Sequence, residues 1–99
     1  MKSKIVSASY IVENYQEKTR HRVYLTVRCE DESIQTLDSS LSTTSDYLEN
    51  LLNIAGFSKE ITPENLKELN GPVQNVLDVN SLFHVRFNNG KPSGLIKLN

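Results

Sequence analysis

The hydrophobic pattern along the chain switches between a period of two and a period near 3.6, and the switches mark its elements. In residues 4–13, Val6, Ala8, Tyr10 and Val12 fall on one face and Ile5, Ser7, Ser9 and Ile11 on the other, which predicts a first strand. Residues 14–19 are polar and predict a hairpin loop. They lack the Asn-Gly or Asp-Gly pair of the tightest turns, so the hairpin register stays open. Residues 20–29 carry the clearest strand pattern, with Val23, Leu25, Val27 and Cys29 on one face and Arg22, Tyr24, Thr26 and Arg28 on the other. Such alternation suits an antiparallel strand that is buried on one side. An acidic turn at 30–33 precedes a short third strand over 34–37. Residues 38–43, four of them hydroxylated, predict a loop and a cap.

From Thr44 the period becomes helical. Leu48, Leu51, Leu52 and Ala55 form one apolar stripe, Thr44 or Ser45 is the expected N-cap, and Asp46 falls in the first turn. Gly56 supplies the left-handed stop. A second short helix begins with Thr62 as cap and Pro63 at the first position, buries Leu66 and Leu69, and ends at Gly71-Pro72. Strand patterns then return at 73–79 (Val73, Leu77 and Val79 on one face), at 82–87 (Phe83, Val85 and Phe87 inward, His84 and Arg86 outward) and briefly at 95–98. Asn80-Ser81 and the run 88–92 read as turns.

The strands and helices are segregated rather than alternating. This predicts an α+β fold in the order β-β-β-α-α-β-β(-β), either a small, mostly antiparallel sheet or an OB-like barrel with its helical insert between the third and fourth strands. The length, 99 residues, suits a single domain over 1–99, and 37% hydrophobic content suffices for one core. No apolar run approaches a membrane span and no secretory h-region is visible, so no membrane partner is expected. One cysteine without a partner points to a reducing compartment, and the expected location is cytoplasmic.

Candidate chemistry is sparse. There is no Cys-x-x-Cys, no His-Glu-x-x-His, no phosphate-cradling glycine loop and no nucleophile elbow. His21 and Cys29 share a strand face but lie roughly 26 Å apart along it, too far for a nucleophile–base pair. Glu30, Asp31 and Glu32 diverge on an extended chain and lack the ligand spacing of a calcium loop. A non-catalytic protein without cofactor or metal is expected. Net charge is −1, from 11 Lys and Arg against 12 Asp and Glu, so any basic surface must come from local segregation.

Such segregation is present in the pattern. Arg20, Arg22, Tyr24 and Arg28 share the outward parity of the second strand, and His84 and Arg86 that of a later one. Outward strand faces are commonly rich in such residues, so the pattern gains meaning only if the two sets converge. If they do, Arg20, Arg22, Tyr24, Arg28, His84 and Arg86 would bind single-stranded nucleic acid, the guanidinium groups neutralising phosphate and the ring stacking on bases. A protein partner is the alternative, since Arg and Tyr also favour protein interfaces.

The stretch Tyr47-Leu-Glu-Asn-Leu-Leu-Asn-Ile-Ala-Gly-Phe57, followed by Ile61-Thr-Pro-Glu-Asn-Leu-Lys-Glu-Leu-Asn-Gly71 and a strand, resembles the middle of small bacteriophage single-stranded-DNA-binding proteins. The likeness covers about residues 47–90, and Pro72 stands where that family carries a basic residue. It implies an OB-type fold and DNA binding. For the protein-binding alternative, a phage-encoded inhibitor or adaptor of a host protein would be the corresponding expectation.

Overall fold

The computed structural model describes residues 2–42 and 46–98. Its elements are β1 (Lys2–Tyr15), β2 (Lys18–Cys29), β3 (Ile34–Ser40), α1 (Tyr47–Ile54), α2 (Pro63–Leu66), β4 (Phe83–Asn88) and β5 (Lys91–Lys97). One antiparallel sheet runs in the order β3-β2-β1-β4-β5. The fold is thus α+β, and its sheet is open rather than closed into a barrel. The end strands β3 and β5 approach within 8 Å between Cα atoms without forming a ladder.

β1 joins the two halves of the sheet. It pairs with β2 along its whole length but with β4 only at Lys2↔His84 and Ser3↔Phe83. Its register steps from Ile5↔Val27 to Ser7↔Thr26, so Val6 is the extra residue of a β-bulge. The bulge reverses the side-chain parity. Ser3 and Ile5 point inward before it and Ala8 and Tyr10 after it, whereas an unbroken strand would place Ile5 opposite Tyr10. Val6 is left 40% exposed. Val12, expected on the same face as Tyr10, is 50% exposed on the hairpin arm that extends past β3.

The β1–β2 connection is a two-residue turn, Gln16-Glu17, with φ of 49° and 64°. Left-handed dihedrals at both central positions match the strand twist, and here they are adopted without glycine or asparagine. The β4–β5 turn, Asn89-Gly90, has the same geometry with the residues that favour it.

Val23, Leu25, Val27 and Leu37 are fully buried against Leu48, Leu51 and Leu52 of α1, with Phe83, Val85 and Leu95 from the other half of the sheet. Each such side chain contributes about 1.5–3 kcal/mol by leaving water. Thr62 caps α2 by accepting the Asn65 N–H at 3.2 Å, Pro63 stands at its start, and the helical path runs on as a 3₁₀ turn through Asn70. Asn70 then clamps the free edge of β1. Its Oδ1 accepts the Tyr10 N–H at 2.7 Å and its Nδ2 donates to the Tyr10 carbonyl at 3.0 Å, replacing the strand that β4 does not supply there.

Four expectations are corrected. Residues 38–40 continue β3 instead of looping, because Tyr24, Val23 and Arg22 of β2 offer them ladder partners. Residues 73–79 are not a strand: Val73–Asn75 is a 3₁₀ turn closed by the Val76 N–H on the Val73 carbonyl at 3.1 Å. Val73, Val76 and Leu77 indeed have helical spacing. Phe87, expected inward, is 43% exposed because it lies at the hairpin end of β4, where Ser93 of β5 is the extra residue of a register shift. Asp46 is the N-cap residue of α1 rather than part of its first turn. The expected caps Thr44 and Ser45 lie outside the described residues.

Gly56 ends α1 at φ +96°, where the Asp78 N–H donates to the Ala55 carbonyl at 2.7 Å. A Cβ on Gly56 would meet the Asp78 Cβ at 2.8 Å and its N at 2.9 Å. Gly56→Ala is therefore expected to cost about 1–3 kcal/mol in urea unfolding, from left-handed strain together with the clash. Gly94→Ala, which meets nothing within 4 Å, should stay within about 0.5 kcal/mol. Equal midpoints for the two variants would show that the Gly56–Asp78 approach does not constrain the fold.

Candidate binding surface

The six basic and aromatic residues expected to act together are divided by the fold. Arg20 lies on the exposed distal arm, opposite Glu13. Arg22 is engaged already: its Nη2 contacts Asp38 Oδ2 of β3 at 2.6 Å, its Nη1 lies 3.9 Å from Glu13 Oε2 of β1, and its guanidinium sits 5.4 Å from the Tyr24 ring centroid. This side chain ties three strands together. It also places two carboxylates where a phosphate would have to approach, and it occupies the ring that a base would stack on. Arg22 Nε is buried without a protein partner among the described residues.

Arg28 stands six residues beyond Arg22, roughly 20 Å along β2. Here the ladder assembles a group only partly visible in the sequence. Cys29, Ser3 and Phe83 occupy one row across β2, β1 and β4, and all three are buried. Residues one step away must point outward. They are the opposed pairs Lys4↔Arg28 and Lys2↔His84, all exposed. Opposed side chains in neighbouring strands start about 5 Å apart, so these four basic groups share one outward patch. Ile34, opposite Arg28, and Ile96, opposite His84, flank it at 53% and 45% exposure. Arg28 and His84 do converge, whereas Lys2 and Lys4 escaped the sequence reading. Their outward alternation with Ser3 and Ile5 was the available signal, and the parity reversal at Val6 concealed it.

Arg86 lies elsewhere. Opposite Gly94, beyond the last β1–β4 pair, it borders a groove between α1 and β5 with Tyr47, Asn50, Ile54 and Ser93. Tyr47 spans that groove by donating its hydroxyl to the Ser93 carbonyl at 2.7 Å.

The other polar groups are structural. His21 Nδ1 and the Tyr10 hydroxyl share a 2.6 Å hydrogen bond beneath nearly parallel rings. Asp78 accepts from Ser81 at 2.6 Å and from Lys97 at 2.9 Å, and these hold its carboxyl below the ordinary 3.8. A cavity of about 460 Å³ between residues 56–59 and 75–78 has its lysine, Lys59, bound by both oxygens of Glu68 at 2.7 Å. Cys29 is buried and unpaired. Among the described residues there is no group of three or more metal-ligating side chains, and no helix long and apolar enough to cross a membrane.

Burial, and then the negative charge of Asp38, raise the Tyr47 phenol above its ordinary 10.0. The folded state therefore favours the protonated donor. Its contribution is complete below the ordinary value and is lost as pH rises through the folded one. In an alkaline absorbance titration, Tyr47→Phe should remove a late tyrosinate phase that rises above the ordinary 10.0. An unchanged late phase in the variant would rule out this assignment.

No family model, no curated protein and no solved structure matches the chain.

Proposed function

We propose that this is a non-catalytic binding protein whose outward patch at the junction of β1, β2 and β4 holds an anionic segment of another protein. One observation carries the reading: Lys2, Lys4, Arg28 and His84 occupy adjoining outward positions on three strands, in a chain with net charge −1. The apolar groups around them are Val6, Ile34 and Ile96. Aliphatic side chains beside cations suit a peptide that presents carboxylates and apolar side chains. Among these residues only the His84 imidazole offers a ring to a base, and the flanking groups are aliphatic.

Single-stranded nucleic acid is the second reading. It is favoured by Arg20, Tyr24 and Arg28 sharing the outward side of β2, and by the resemblance carried by residues 47–71. The engagement of Arg22 with Asp38 and Glu13 counts against it.

The readings separate in fluorescence anisotropy with a dye-labelled Asp/Glu-rich peptide and labelled oligothymidine at low salt. The peptide should bind more tightly, and Lys4→Glu with Arg28→Glu should weaken it by about tenfold, ~1.4 kcal/mol. Tighter oligothymidine binding with a steep salt dependence would select the nucleic-acid reading, because counterion release scales with the phosphates contacted. Peptide binding indifferent to both charge reversals would remove this patch from the function.

A further inference from the structure

We infer that the cleft beside the Val6 bulge receives an apolar anchor side chain from a short acidic segment of the partner. This rests on the protein-binding reading above and adds what the partner must present. The cleft exists because β1 loses its β4 neighbour after Ser3. From Lys4 onward the segment leading into β4 crosses that side instead, and Val79 and Leu82 come to line a hollow of about 420 Å³ with Val6 of β1. Its size lies at the low end of ligand pockets, roughly 300–1,000 Å³, and accommodates one or two side chains.

The charge around the hollow restricts the occupant further. Lys2, Lys4 and Arg28 line it against a single acid, Glu30, whose Oε1 lies 3.4 Å from the Lys2 backbone N–H. Three cations against one carboxylate disfavour a neutral or basic apolar segment. They favour a leucine- or phenylalanine-like anchor with aspartate or glutamate on either side. The bulge is the device that makes this possible. An unbulged strand that kept Ala8 and Tyr10 inward would turn Val6, Lys4 and Lys2 toward the core.

The test uses the full chain and three dye-labelled probes: the peptide Glu-Asp-Glu-Leu-Phe-Asp-Glu-Asp, the same peptide with Ser-Ser replacing Leu-Phe, and oligothymidine. The anchored peptide should bind wild type at least about tenfold more tightly than the Ser-Ser peptide, as burial of one such side chain implies. Val6→Trp, which fills the hollow, should abolish that difference while leaving the Ser-Ser peptide unaffected. Val6→Ser, which removes one apolar wall without adding bulk, should reduce it, and serves if the larger residue impairs folding. Equal binding of both peptides to wild type would overturn the anchor while leaving the basic-patch reading intact. Binding of oligothymidine alone, or of no probe, would overturn both.

Discussion

The extra residue at Val6 is the constraint on which the rest of the structure depends. β1 has to serve two halves of one sheet, and an unbroken strand can offer only one parity to the core. By inserting one residue between Ile5 and Ser7, the chain buries both Ile5 and Tyr10 on the core side of the sheet. The same step sets Lys2 and Lys4 outward beside Arg28 and His84, and it leaves Val6 at the mouth of an apolar hollow. Core and candidate surface thus share a single backbone irregularity.

The second organising feature is the substitution of local contacts for strand pairing. β1 meets β4 through only two residue pairs, and the edge left open beyond them is held by the Asn70 side chain on Tyr10. At the other margin β3 and β5 approach without a ladder, and the Tyr47 hydroxyl on Ser93 ties α1 to β5. Backbone donors and acceptors on exposed strand edges invite pairing with other chains, and such clamps restrict that. The cost of this arrangement is that closure rests on a few side chains rather than on a continuous ladder.

Electrostatics separate two surfaces that look alike in one dimension. Arg22 and Arg28 share a strand face and a residue type. Yet the Arg22 side chain reaches the diagonal carboxylates Asp38 and Glu13 on its neighbouring strands, while Arg28 is opposed by Lys4 and Ile34. The first becomes a tie between strands, worth about 0–1 kcal/mol at this exposure. The second joins a patch in which Lys2, Lys4 and Arg28 lie beside one acid, Glu30. A chain of net charge −1 can thus carry local positive charge where the ladder stacks cations.

What the amino-acid sequence determined by itself was whatever depends on neighbours along the chain. The alternation of Val23, Leu25, Val27 and Cys29, the stripe of Leu48, Leu51 and Leu52, the Thr62-Pro63 start and the Gly56 stop are all local in origin and all found in place. Tertiary structure decided the rest because it depends on partners distant in sequence. Ser39 and Ser40 became strand because β2 offered ladder positions, and Phe87 was left half-exposed because it lies at the hairpin end of β4, past the buried Val85. Lys2 and Lys4 met Arg28 and His84 because β1 lies between β2 and β4, and alternation along one strand carries no information about which strand lies beside it.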